Sequence, residues 1–113
     1  MHEIGVMQSV LDAAVAEAGK RNATRIHSIR LRVGAFAGVV PDSLQFAFEA
    51  LSDDTMAAGA SLVIERTPAR CYCAACEKEF EIQEYLLQCP TCREFHVTMR
   101  SGRELEMVSM EIS

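Results

Sequence analysis

All five cysteines of this 113-residue chain lie in two short stretches, CYCAAC at residues 71–76 and CPTC at residues 89–92. Each stretch contains a Cys-x-x-Cys pair, which turns tightly enough to direct two thiolates at one point. Two such pairs with twelve residues between them are typical of a tetrahedral Zn(II) site. The predicted zinc ligands are Cys73, Cys76, Cys89 and Cys92. We therefore expect a zinc-ribbon-like fold in this part of the chain.

The predicted zinc has a structural role, because four thiolates complete its coordination and leave no open position for water or substrate. Sites of this kind bind zinc with about 10–16 kcal/mol at neutral pH, more than a short segment with few apolar side chains gains from burial. Without zinc, we expect the segment to be disordered. Cys71 is the spare thiol, although its distance from Cys76 also allows it to replace Cys73 as a ligand.

The composition predicts a globular protein with little attraction to phosphate backbones. Half of the residues are apolar, 24% are charged, and the formal net charge is −5. Between residues 70 and 103 the cations and acids balance, so nucleic acid is not an expected partner. No apolar run approaches the roughly 18 residues that span a bilayer, and the first residues do not resemble a signal peptide. We expect a cytoplasmic protein with no membrane partner, whose cysteines bind metal because the cytoplasm keeps thiols reduced.

The sequence on either side of the cysteines predicts an α+β fold. Apolar residues recur every three or four positions between Ile4 and Ala18, and again in a helix that begins at Pro41. Two-residue alternation predicts strands in RIHSIRLRV at residues 25–33 and SLVIERT at residues 61–67. The C-terminal tail alternates as well and is expected to return to the same sheet. The prediction is two helices on a mainly antiparallel three-stranded sheet.

The predicted domains follow from the change of pattern after Pro68. Residues 1–69 and 104–113 form the α+β domain, and residues 70–103 form an inserted zinc-binding domain. The strand edges of the α+β domain are exposed and have no assigned partner.

A second candidate metal site lies at the N-terminus. His2 is too large to allow removal of the initiator methionine, so Met1 should keep its free amine. This amine, the His2 backbone nitrogen and the His2 imidazole can chelate one ion, with a neighbouring amide or Glu3 completing a square-planar set. That geometry is typical of Ni(II) or Cu(II). The alternative is that His2 is an ordinary solvated residue.

Several segments together resemble the HypA/HybF family of hydrogenase nickel-incorporation proteins. They are MHEIGVMQSVLDAA (1–14), IRLRVGAFAGVVPDSLQFAFEAL (29–51), TMAAGASLVIERTPARCYCAAC (55–76), CPTC (89–92) and GRELEMVSMEIS (102–113). The resemblance covers essentially the whole length. It implies a nickel-binding domain that opens with MHE, with His2 as the principal nickel ligand and Met1 and Glu3 as additional ligands.

The resemblance also implies a function. Family members deliver Ni(II) during maturation of [NiFe]-hydrogenases, together with a HypB-type GTPase and the hydrogenase large-subunit precursor, and some also serve urease. The chain is then a nickel metallochaperone and not an enzyme, with transferable Ni(II) and structural Zn(II). We expect a monomer or a weak homodimer.

Two other hypotheses start from the cysteines alone. A zinc-ribbon adaptor would bind nucleic acid or protein, and a redox protein would use one Cys-x-x-Cys pair as an exchangeable dithiol. The sequence contains no Ser/His/Asp order, Walker loop or dinucleotide-binding glycine motif that would indicate an enzyme. His27 is predicted to be a strand residue. His96 is predicted to be a side chain of the zinc-binding domain that approaches a metal only if the domains fold together.

Overall fold

The computed structural model describes residues 2–113, which form two helices and six strands. In chain order the elements are α1 (His2–Lys20), β1 (Ile26–Gly34), α2 (Pro41–Ser52), β2 (Ser61–Thr67), β3 (Ala69–Cys73), β4 (Lys78–Ile82), β5 (Val97–Ser101) and β6 (Leu105–Ile112). The strands form two three-stranded sheets, ordered β2-β1-β6 and β4-β3-β5. The predicted α+β class is confirmed. Neither described helix has the length and apolar character needed to cross a membrane.

Helix α1 follows the predicted apolar period. Its buried apolar residues are Met7, Leu11, Ala14 and Ala18, which recur at steps of three and four along one face. The helix ends in a Schellman motif, in which the Ala23 N–H donates to the Ala18 carbonyl and the Asn22 N–H donates to the Gly19 carbonyl. Asn22 has a φ of +58°, the left-handed conformation that this motif requires. The chain therefore reverses at Asn22 and enters β1.

Helix α2 begins at Pro41, whose fixed φ suits the first helical position. The preceding residue, Val40, has no side chain that caps the helix. Its backbone N–H instead donates to Oε2 of Glu3 at 3.1 Å. The N-terminal turns of the two helices are thus tied together by one carboxylate.

Strand β1 lies at the centre of the first sheet and buries Ile29, Leu31 and Val33. Between these positions Arg32 contacts Glu65 of β2 at 3.0 Å and Glu106 of β6 at 3.2 Å. These carboxylates raise the pKa of the Arg32 guanidinium through hydrogen bonds and charge. Since the side chains are partly exposed, the ion pairs add little stability, but they link all three strands on one face.

Strand β6 returns to the first sheet, as the alternation of the C-terminal tail predicted. It runs antiparallel to β1, because Ser113 exchanges two backbone hydrogen bonds with Arg25 while the Glu104 carbonyl accepts from Gly34. None of the eight residues of β6 is buried. The apolar face of the tail, with Val108 and Met110, therefore does not enter a core.

The described chain divides into two compact units. The first comprises the chain up to Arg32, Val39–Glu65 and Glu106–Ser113, and the second comprises Val33–Gly38 and Arg66–Leu105. The sequence placed the junctions a few residues further into the cysteine-containing part, and it did not separate Val33–Gly38 from the first domain.

Two glycines meet inside the second unit. A Cβ added at Gly34 would lie 2.2 Å from the carbonyl carbon of Gly102, and one added at Gly102 would lie 2.8 Å from Ala69. The Phe36 N–H donates to the Gly102 carbonyl at 2.7 Å, which holds the two backbones in this arrangement. Gly102 also has a φ of +124°, which L side chains rarely adopt. Neither position has room for a side chain.

We expect Gly34→Ala to lower the free energy of unfolding by about 3 kcal/mol, because the new methyl group would overlap backbone that cannot rotate away. Gly5→Ala in α1 is the matched control, since a Cβ there meets nothing within 4 Å. It should leave stability unchanged or raise it by up to about 1 kcal/mol through helix propensity. Urea denaturation followed by circular dichroism measures both, and equal stabilities of the two variants would contradict the close approach.

Candidate metal centre

Each Cys-x-x-Cys pair lies in a turn that is followed by a residue in the left-handed conformation. Cys73 ends β3 opposite Lys78, and the turn between them is completed by Glu77 with a φ of +52°. The second pair is followed by Arg93, whose φ is +67°. The Arg93 N–H donates to the Cys89 carbonyl at 2.9 Å, which closes this turn. Sequence analysis did not identify these two turn residues, because neither is the glycine or asparagine that usually marks this conformation.

The two turns bring the four predicted ligands together. The Sγ atoms of Cys73, Cys76, Cys89 and Cys92 all lie within 4.8 Å of one another. Two of the separations between the pairs are 3.6 Å, from Sγ of Cys73 to Sγ of Cys92, and 3.8 Å, from Sγ of Cys89 to Sγ of Cys76. Thiolates about 2.3 Å from a tetrahedral Zn(II) are separated by about 3.8 Å, so the cluster fits that ion.

Hydrogen bonds and burial shift the pKa values of two cluster thiols in opposite directions. Backbone N–H groups of Cys92 and Thr91 lower the pKa of the Cys89 thiol to about 6. Hydrogen bonding with Cys92, together with burial, raises the pKa of the Cys76 thiol to about 12. One thiolate therefore forms easily near neutral pH, whereas four adjacent thiolates require a bound cation to offset their mutual repulsion.

Cys71 lies outside this cluster, although it precedes Cys73 by only two residues on β3. It is fully buried, opposite Phe80 of β4 and Met99 of β5, and burial raises the pKa of its thiol. Of the two alternatives that the spacing left open, the described geometry favours Cys73 as the fourth ligand.

The candidate N-terminal site begins with the first described residue. His2 starts α1 with 63% of its side chain exposed, and its Nε2 lies 3.6 Å from Oε2 of Glu3. The Glu3 side chain is only 6% exposed, since it lies against Val40 and accepts that residue's N–H. Adjacent ligands of one ion, each about 2 Å from it, lie about 3 Å apart, so a small shift would let both residues share a metal. Met1, the other predicted ligand, lies outside the described residues.

The remaining histidines are not members of the four-cysteine cluster. His27 lies in β1, as predicted, and its Nε2 is 2.7 Å from the Ser113 hydroxyl oxygen. His96 is exposed just before β5 and is not part of the cysteine cluster.

The fold and the four-thiol cluster together define a small α+β metal-binding protein. A sequence profile described as "Hydrogenase/urease nickel incorporation, metallochaperone, hypA" matches residues 1–112. The chain belongs to this HypA family of hydrogenase maturation factors, and the resemblance that the sequence suggested is confirmed.

Individual relatives match this chain over nearly its whole length. The chain is 41% identical to the hydrogenase maturation factor HypA of Picosynechococcus sp. over 112 residues, covering 99% of both chains. It is 44% identical to the protein of that name from Streptomyces avermitilis, covering 97% of this chain and 86% of the relative. The solution structure of the Ni metallochaperone HypA from Helicobacter pylori has a similar fold, with a TM-score of 0.69 and 22% identity over 99% of this chain and 97% of that chain.

We expect Cys73→Ser to abolish stoichiometric zinc binding and to unfold the second unit, because three thiolates cannot complete the tetrahedral site. Cys71→Ser is the matched control: it changes the same atom in the same strand but should keep one zinc per chain. Metal analysis of both purified variants decides the assignment. Full zinc content in Cys73→Ser, or its loss in Cys71→Ser, would contradict the ligand set.

Proposed function

We propose that this protein is a non-enzymatic nickel metallochaperone that delivers Ni(II) during maturation of a [NiFe]-hydrogenase. The membership of the chain in a nickel-incorporation family carries the proposal. His2 is the principal nickel ligand, Met1 and Glu3 are additional ligands, and Cys73, Cys76, Cys89 and Cys92 hold structural Zn(II). The protein then acts in the cytoplasm, and its partners are a HypB-type GTPase and the hydrogenase large-subunit precursor. The family description also names urease, which is a second candidate recipient.

The contrast between the two candidate sites supports this division of labour. Cys73 and Cys89 are buried, and Cys76 and Cys92 are partly exposed. Four thiolates would complete the coordination of a zinc ion, so the cluster offers no open position to an acceptor ligand. The His2 side chain is 63% exposed at the start of a helix. A shallow nitrogen and oxygen site exchanges its metal with an acceptor more readily than a closed tetrathiolate does. The exposed N-terminal site is suited to the transferable Ni(II), and the four-cysteine site is suited to a permanent structural Zn(II).

The position of His2 at a helix N-terminus limits how nickel can bind there. The first backbone N–H groups of a helix carry partial positive charge, which disfavours a cation. The carboxylate of Glu3 offsets part of that charge at 3.6 Å from the His2 ring. Because His2 is the first helical residue, coordination through its backbone nitrogen affects only the end of α1. The proposed site is therefore compatible with an intact fold.

The charges of the second unit do not favour the nucleic-acid alternative. On β3 and β5, Arg70 and Arg100 contact Glu79 at 3.7 Å and 3.2 Å. The Arg100 guanidinium also lies 4.0 Å from the centre of the Tyr72 ring. These cations already have anionic or aromatic neighbours within the unit, so they are poorly placed to contact a phosphate backbone.

The domain division is part of the proposal. We infer that residues 70–103 fold around zinc as one domain and that residues 1–69 and 104–113 form the other. The exceptions within the second range are Val33–Gly38 and the residues next to each junction, which belong to the compact unit of the zinc-binding domain. Chelation of zinc should then remove the signals of the second unit and preserve those of α1 and α2 in a heteronuclear NMR spectrum.

Addition of one residue before Met1, or the substitution His2→Ala, should abolish nickel binding by the zinc-loaded protein. The first change removes the α-amine from its chelating position, and the second removes the imidazole. Calorimetric titration with Ni(II) measures the loss, and metal analysis should still find one zinc per chain. His27→Ala, which changes a histidine in β1, is the control and should bind nickel as the unmodified chain does. Undiminished nickel affinity in both N-terminal variants would exclude the site.

Nickel affinity should fall steadily as the pH is lowered from about 8 to about 6. The proposed amine and imidazole donors bind a metal only in their deprotonated forms. Proton uptake therefore competes with nickel, so the affinity is highest at the alkaline end. Titrations at several pH values measure the trend, and an affinity that does not change with pH would require a different ligand set.

A further inference from the structure

An open groove of about 310 Å³, here called the β4 groove, lies along strand β4 of the second sheet. Its lining includes Phe80, Glu81 and Ile82, three consecutive residues of that strand. Consecutive side chains of a strand point to opposite faces of the sheet, so a cavity that contacts all three lies along the edge of the strand. In the order β4-β3-β5, one side of β4 faces none of the described strands. The β4 groove therefore lies beside backbone groups that can pair with another strand.

Part of the lining is apolar and is held in place. Leu86 and Pro90 both contribute to it, and 55% of Leu86 is exposed. Next to Leu86, the ring of Tyr85 meets the ring of Phe36 edge-on at 5.4 Å, and its hydroxyl accepts a hydrogen bond from Arg103. Pro90 lies within the turn of the second Cys-x-x-Cys pair. These contacts order the groove before a partner binds, which lowers the entropic cost of binding.

The charged part of the lining is negative. It consists of Glu81 and Glu84, and neither carboxylate is in an ion pair within the described chain. Glu81 accepts a hydrogen bond from the neutral amide of Gln83 at 2.9 Å, whereas Glu79 of the same strand already contacts two arginines. Two uncompensated carboxylates beside an apolar surface favour a partner with cations and apolar side chains, and they disfavour a phosphate backbone.

We propose that an extended basic segment of another protein binds in the β4 groove as a fourth strand of the second sheet, with cationic and apolar residues in alternation. Phe80 and Ile82 share one face of β4, and Glu81 lies on the other. An alternating strand beside β4 then places its apolar side chains next to the first two and its cations next to the carboxylate. Leu86 adds apolar surface to the groove, and Glu84 adds a second carboxylate.

The composition of the two sheet edges determines which edge a basic strand selects. Strand β5, at the other edge, has the sequence VTMRS, which contains one cation and no carboxylate. Strand β4 has the sequence KEFEI, which contains two carboxylates and one cation. In strand addition, backbone hydrogen bonds provide affinity and alternate side chains provide specificity. Both edges offer a backbone, but only β4 offers charges that complement a basic segment.

The first test is an NMR titration of the isotope-labelled, zinc-loaded full-length chain with a blocked heptapeptide in which Lys and Val alternate. We expect saturable one-to-one binding with a Kd below about 1 mM. Amide signals of β4 and Leu86 should shift, whereas those of β5 should not. The same peptide with Glu in place of Lys should not bind. Absence of binding, equal shifts at the two edges, or equal binding of the two peptides would overturn the proposal.

Matched variants test the side chains of the groove. Leu86→Ser should weaken binding of the Lys–Val peptide about five-fold by removing apolar contact area. The double variant Glu81→Gln with Glu84→Gln should weaken it about three- to ten-fold and reduce its dependence on salt. The controls are Phe95→Ser, an exposed apolar residue of the same unit outside the groove, and Glu49→Gln, an exposed carboxylate of α2. Both controls should bind as the unmodified chain does.

All these substitutions are at exposed residues, so the circular dichroism spectrum and the zinc content should not change. Groove variants that bind as tightly as the controls would exclude the β4 groove as the binding site.

N-methylation of the peptide tests backbone pairing separately. Alternate residues of a strand direct their N–H groups toward the same neighbour. Methylation of the odd-numbered amides and methylation of the even-numbered amides of the Lys–Val peptide therefore block opposite edges. One of these peptides should lose binding and the other should keep it. Equal binding of the two methylated peptides would exclude strand addition.

Discussion

The stability of the second unit depends on the cluster of four cysteine thiols, because the unit has almost no other core. Its buried apolar residues are Val33, Ala69, Cys71, Cys73 and Cys89. Burial of a large aliphatic or aromatic side chain contributes about 1.5–3 kcal/mol, but none of these residues is larger than valine. Ordering the backbone costs about 1–2 kcal/mol per residue, so apolar burial cannot hold the unit together. A metal bound by the cluster, at about 10–16 kcal/mol, is of the size required.

The first unit is stabilised in a different way, by apolar faces of two helices and a central strand. Met7, Leu11, Leu44, Phe48 and Leu31 are all buried there. Glu3 adds a polar contact, because its carboxylate accepts the Val40 N–H and ties the start of α1 to the start of α2. The same carboxylate lies beside His2, so one residue both fixes the end of the helix and adds negative charge to the proposed nickel site.

The two proposed sites could hold metals with opposite requirements, because their donor sets differ. Soft thiolates in a closed tetrahedron favour zinc and restrict exchange, whereas nitrogen and oxygen donors at an exposed end suit Ni(II) and permit transfer. Such donors also bind copper strongly, so selectivity for nickel depends on geometry, metal availability and partners more than on affinity. This dependence agrees with the proposed role of the protein as one member of a maturation pathway.

The amino-acid sequence by itself determined the two helices, the three strands of the first sheet, the α+β class and the four cysteines that meet, because each depends on local periodicity or on fixed short spacing. It did not reveal the left-handed backbone conformation of Glu77 and Arg93, since residue type alone does not indicate such a turn when glycine is absent. Only the tertiary structure decided that Gly34 meets Gly102, that Glu3 holds Val40, and that the apolar face of β6 stays at an open edge. These contacts join residues that are far apart in the chain. They depend on how the helices and strands pack against one another, and a local sequence pattern does not predict that packing.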